Sequence, residues 1–372
     1  MFLRRNTFST SPLNQEIHPA SRPWVRLGFL VNSLLGILTT LHVLGLSGVA
    51  LAQESDKNSL DLADPRPYMR VERSKGGTVS LQIAARKFVT SQESGPAVWL
   101  VGVSHIGESN YYQTLQKYLN KQDVVLFEGV GYDELQRETD GDDSEIEVSD
   151  ASSLQSTLAE SLGLAFQLDA IDYDRPNFRN SDIPLNELMR LLTRDRGSKS
   201  GDSNPTNQEF LTLIQAMDGS SWMGKLLQVG VKILGASPKL QAMSRLMLVE
   251  LLGQIQGDLS EVQGLPPSIQ EMMRVLIQSR NKVVMKDLKQ TLDQNPQPSS
   301  IAVFYGAAHM NDFEKRLKSD HGFRFSEEKW FSAVTVDPEQ GGLSKTELMM
   351  IRGLVRWQLN TLQQQFPGAK EN

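Results

Sequence analysis

The sequence predicts an α/β protein with a central, mostly parallel sheet and a large helical insertion, behind an N-terminal signal or membrane segment. Three observations predict it. Val98–Val103 and the "DVVLFEGV" stretch from Asp123 to Val130 are almost continuously apolar, the pattern of strands buried on both faces. Tyr112, Leu115 and Leu119 fall at helical spacing between them, so the three segments form a β-α-β unit, which is parallel and right-handed. Helical patterning then fills Leu185 to about Asp293 before strands resume at Ser300, which places helices between two parts of one sheet.

Residues 1–26 are polar and carry Arg4, Arg5, Arg22 and Arg26 against Glu16. Leu27–Ala50 follows with no acid or base apart from His42. Ala50-Leu51-Ala52 before Gln53 has the small-x-small form of a cleavage site. The run is long for a signal peptide and nearly long enough to span a bilayer. It is expected to be either a cleaved signal or a retained anchor, and both put the body outside the cytoplasm. Residues 53–68 read as a polar linker, and 69–366 as the α/β domain with its insertion at about 185–293. Arg70–Val89 reads as a hairpin turning at Gly76-Gly77. Arg137–Asp150 is an acidic loop without EF-hand spacing. Ser152–Gln167 is expected to be helical and Leu168–Tyr173 a third strand. Arg196–Gln208 reads as a flexible loop, while Trp222–Leu234 and Leu240–Leu252 read as apolar helices. Ser300–Gly306, a helix near Asn311–Lys318, a strand at Phe331–Asp337 and a helix over Ser344–Gln365 complete the chain.

The net charge is -6, and removing the +3 of the first 52 residues leaves a body of -9. That balance opposes a nucleic-acid partner, because phosphate binding needs a cationic face. The chain has no cysteine, which removes disulfides, thiolate nucleophiles and Fe–S clusters together. It also has no lipobox, so the only expected membrane contact is the N-terminal apolar segment.

In open α/β sheets, ligands bind beyond the carboxyl ends of the parallel strands. Three polar residues are expected there. His105 follows Gly102 by three positions, His309 follows Gly306 by three, and Glu128 follows "DVVLF". Each glycine is expected to let the backbone leave its strand sharply. Two imidazoles and a carboxylate suit a divalent metal and leave positions open for water. Glu128 is equally suited to be ligand or general base. On the helix around Gln278–Leu288, Arg280, Lys282 and Lys286 read either as a solvated face or, for an arginine reaching the sheet edge, as a carboxylate or oxyanion binder. Asp172, Asp174 and Arg175 are further candidates for the same cleft, as ligands or as an internal ion pair. His321 falls in a turn and has no expected role, and Ser104 lacks a Gly-x-Ser-x-Gly elbow.

Together these residues resemble the TraB/PrgY/GumN/TIKI family, related to erythromycin esterase and ChaN-like proteins. That family has two Gly-x-x-His motifs, a glutamate after the second strand, and a helix arginine before the last motif. Here they correspond to Gly102-Val103-Ser104-His105, Glu128, Arg280-Asn281 and Gly306-Ala307-Ala308-His309, in the same order from about Val98 to Phe313. The resemblance implies an erythromycin-esterase/ChaN-like fold and a metal-dependent hydrolase, with peptidase activity in TIKI-like members. The expectation is therefore an exported, peptidase-like hydrolase acting on a peptide or small molecule. His105, His309 and Glu128 would hold Mn, Co, Zn or Fe, and Arg280 would stabilise substrate charge. Two alternatives use the same residues: a haem-, metal- or peptide-binding protein without turnover, and a metal-independent esterase.

Overall fold

A computed structural model describes residues 66–90, 95–129, 158–184, 187–188, 190–191, 237–253 and 274–365. The N-terminal signal or anchor, most of the linker, the acidic loop, Arg196–Gln208 and Trp222–Leu234 lie outside the described residues. Among the described residues, no helix is long and apolar enough to cross a membrane.

The predicted hairpin is β1 (Met69–Arg73) against β2 (Val79–Thr90), antiparallel, with Gly77 in the turn at φ 88°. A side chain rarely adopts that backbone, so glycine suits the turn. The site-bearing strands follow. β3 (Ala97–Val103) leads through the two-residue β4 (Ile106–Gly107) into α1 (Ser109–Leu119) and then β5 (Val124–Phe127). The two-residue β6 (Ala165–Phe166) pairs antiparallel with β4. After a single helical turn, Gln167–Ala170, comes β7 (Phe178–Asn180).

Within the expected insertion, the described residues include α2 (Pro238–Leu252) and α3 (Arg280–Leu292). α2 starts at Ser237, whose side chain accepts from the Leu240 N–H, with proline at the first helical position. A π-helical turn, Val275–Ser279, runs directly into α3. β8 (Ser300–Gly306), α4 (Met310–His321), β9 (Phe323–Val336) and α5 (Lys345–Gln365) end the described chain.

The sheet order is β1-β2-β3-β8-β5-β7, with β9 also on β2. β3, β8, β5 and β7 are mutually parallel, while β1, β2 and β9 form an antiparallel end. Both faces of the parallel strands are covered, which explains their unbroken apolar runs. Val101, Val125 and Phe304 pack on one face with residues of α1 and α2, including Leu115 and Leu246. Leu100, Leu126 and Val303 pack on the other with Val284, Leu288 and Phe313 of α3 and α4.

Three local expectations are corrected. Leu168–Tyr173 is not a strand: the Gln167 N–H donates to the His105 carbonyl at 2.8 Å, and the chain there folds back over the end of β3. The strand beside β5 is β7, three residues long, whose exposed Arg179 leaves no apolar run to read. The stretch expected to be helical to Gln167 instead enters β6 at Ala165.

Candidate functional site

The parallel register brings the two Gly-x-x-His motifs side by side. Gly102 pairs with Tyr305, and Val103 with Gly306. β5 lies on the far side of β8, pairing Phe127 with Phe304, so Glu128 emerges one residue beyond the ladder. His105, His309 and Glu128 therefore stand at the carboxyl ends of three adjacent strands. Neither motif glycine has positive φ; Gly306 has φ -48°. Gly102 lies within β3, one residue before its end, whereas the chain leaves β8 at Gly306 directly into the turn Ala307–His309. A Cβ at Gly102 would lie 3.0 Å from Ile83 Cγ2 and 3.2 Å from the Ala84 carbonyl oxygen. A Cβ at Gly306 would lie 3.4 Å from Glu128 Oε2 and 3.6 Å from His105 Nε2, so glutamate and histidine close on the same spot.

Glu128 is 1% exposed and held at both oxygens. The Gly306 N–H donates to Oε2 at 2.8 Å, and Arg280 Nη2 donates to Oε1 at 2.9 Å. His309 Nε2 lies 3.6 Å from the same Oε1. Arg280 is fully buried, not on a solvated face, whereas Lys282 and Lys286 on the same helix are exposed. Asp182, Asn281 and Gln167, none of them expected as a site partner, complete the arrangement. Asp182, two residues past β7, accepts from Arg280 Nε at 2.9 Å and Nη2 at 2.5 Å. Asn281 Oδ1 lies 2.7 Å from His309 Nδ1, and Asn281 Nδ2 donates to Asp312 Oδ2 at 2.7 Å. On the other histidine, Nδ1 lies 2.9 Å from Gln167 Oε1, and Gln167 Nε2 donates to the Tyr173 hydroxyl at 2.9 Å. Asp182 follows its strand as His105 and Glu128 follow theirs, but β7 is too short to be read, so the sequence carried no signal for it. Gln167 and Asn281 had none as ring partners, because only the fold sets them against the rings.

Burial pushes the His309 ring well below the usual histidine range, and the Arg280 and His105 charges add to this. His105 is also lowered by burial, which outweighs the opposing pull of Glu128. Both rings are thus neutral at neutral pH, the form that accepts a proton or binds a metal.

Asp172 and Arg175 do not enter the site. They form an exposed ion pair at 2.8 Å, before the amino end of β7, where the Asp172 N–H donates to Gln116 of α1. Ser104 Oγ donates to the Ile106 carbonyl at 2.8 Å, a turn contact. His321 is the last residue of α4. The helix expected near Asn311 starts at Met310 without a side-chain cap, and Glu314 joins Arg86, Lys318 and Tyr68. A separate cavity of about 430 Å3 near β1, lined by Arg66, Arg70, Arg73 and Trp330 among others, shares no lining residue with the histidine site.

The donor chemistry suits a first-row divalent ion: two neutral imidazoles and a carboxylate at one strand edge. Among the described residues, no group of three or more His, Asp or Glu side chains stands close enough together to hold an ion as placed. Fold and site together define a class: an α/β protein with a two-histidine, glutamate and arginine centre at the carboxyl edge of its parallel strands. Compared with protein-family models, curated sequences and solved structures, the chain matches none.

Proposed function

We propose that this protein is an exported hydrolase of the TraB/PrgY/GumN/TIKI type, acting on peptides or small molecules with a divalent metal at His105, His309 and Glu128. One observation carries the reading: separate stretches of the chain bring two neutral imidazoles, a buried carboxylate and a buried guanidinium to one sheet edge. A bound ion would supply Lewis acidity, polarising the scissile carbonyl and easing deprotonation of the attacking water. The chain's own groups do the rest. Glu128, fixed by the Gly306 N–H and Arg280, would serve as a ligand or take the water's proton. Arg280, gripped by Asp182, orients Glu128. Hydrolysis then balances: water adds to the carbonyl carbon, its proton moves to the base, and the leaving group departs with a proton.

A second reading, a metal-independent esterase with histidine as general base, is favoured by one feature. Both Glu128 oxygens are already hydrogen-bonded, to the Gly306 N–H and Arg280. Elemental analysis of the purified protein beside a His105→Ala control, with metal-stimulated cleavage of a peptide library, tests the first reading. Bound metal that His105→Ala loses, and cleavage that chelation abolishes, are the expected results. Absence of both metal and stimulated cleavage overturns it, and activity that survives chelation moves the assignment to the esterase.

A further inference from the structure

We infer that Asn281 is a positioning residue that keeps the ring hydrogen of His309 on Nδ1, so that the bare Nε2 faces Glu128. This rests on the reading of His309 as a working group of the centre. Asn281 is fully buried at the start of α3. Its Nδ2 lies 2.7 Å from Asp312 Oδ2 and 3.3 Å from the His309 carbonyl oxygen. Both are acceptors, so the amide nitrogen belongs on their side and Oδ1 on the side of the ring. Oδ1 lies 2.7 Å from His309 Nδ1 and can only accept, so Nδ1 carries the hydrogen. Arg316 Nε donates to Asp312 Oδ2 at 2.7 Å and keeps that carboxylate aimed at Asn281. Asp312 and Arg316 belong to α4, and His309 immediately precedes it. The docking of α3 on α4 supplies the fourth member, Asn281.

The consequence lies on the other side of the ring. His309 Nε2 is 3.6 Å from Glu128 Oε1, beyond hydrogen-bond length. The opposite tautomer would aim an N–H at that oxygen, and the two groups would quench each other. Asn281 prevents this and leaves a lone pair opposite a carboxylate oxygen, a gap suited to a metal ion or a substrate proton. His105 follows the same plan: its Nδ1 meets an amide oxygen, from Gln167, whose nitrogen donates to Tyr173. Partners of this kind on the second ring nitrogen set which nitrogen binds or accepts.

The test uses the full chain, treated with chelator and selectively labelled with 15N-histidine. The chain has five histidines, and a His309→Gln variant identifies the His309 resonances by their loss. The wild type is expected to show a protonated Nδ1 and an unprotonated Nε2. Asn281→Ala is expected to move the hydrogen to Nε2. A protonated Nε2 in the wild type overturns the inference, and so does an Asn281→Ala spectrum that keeps the wild-type pattern. Should Asn281→Ala fail to fold, the wild-type spectrum still decides. Titration with Mn2+ separates this from the hydrolase reading. A bare Nε2 in a protein that binds no ion leaves the tautomer inference standing and the metal reading fallen.

Discussion

Glu314 and Arg86 show how much buried charge this chain carries outside its candidate site. Arg86 is 1% exposed on β2, donating to Glu314 at 3.0 Å and to Glu328 at 2.8 Å. Burial by itself pushes the Glu314 carboxyl up, but hydrogen bonds and charge from Lys318, Arg86 and Tyr68 outweigh it and hold it below its ordinary 4.5. A depressed carboxyl pKa stabilises the fold above the unfolded value, and that contribution is lost as pH falls through the folded one. Glu314→Gln is therefore expected to cost about 3 kcal/mol at pH 7, because it leaves Arg86 short of a buried partner. The gap between wild type and variant should narrow as pH drops below about 4.5. Urea unfolding of both proteins at several pH values measures this, and a gap independent of pH would refute it. None of this network was legible in sequence. Arg86 and Glu314 are 228 residues apart, and nothing local marks either as buried.

At the scale of elements, the two motif glycines look alike in sequence but do different work. Gly102 sits inside β3 and packs against β2, where a methyl group would press on Ile83 and on the Ala84 carbonyl. Gly306 closes β8 beside the site, where a methyl group would meet Glu128 and His105 at ordinary contact distance. Gly102→Ala is thus expected to lose about 1–3 kcal/mol of stability by overpacking. Gly306→Ala should stay near wild-type stability yet change the site, seen as altered metal uptake or altered 15N shifts of His105. Thermal unfolding of the pair checks this, and equal losses of stability in both would contradict it. Runs such as Val98–Val103 were readable because burial on both faces leaves an apolar signature. β7 was not, since its three residues at the sheet edge follow the ladder of β5 more than any pattern of their own.

For the whole molecule, the N-terminal arginines, the uncharged run to Ala50 and the site before Gln53 predict export. Mass spectrometry of the protein recovered from outside the cytoplasm should find a chain beginning at Gln53 if the segment is a cleaved signal. A full-length chain that extracts only with detergent indicates the anchor, and a full-length cytoplasmic chain would end the export reading. The sequence by itself determined the α/β class, the parallel strands of the site and the ordered set His105, Glu128, Arg280 and His309. These are local: apolar runs, helical spacing and polar residues at strand ends are written in neighbouring positions. Only the tertiary structure decided that β8 inserts between β3 and β5, which makes neighbours of residues 203 positions apart, and that Asp182, Gln167 and Asn281 hold the candidate centre in place. It also decided that Asp172 and Arg175 lie outside that centre. The physical reason is that a hydrogen bond or ion pair between distant segments depends on where packing places two backbones, and no periodicity along one chain records it.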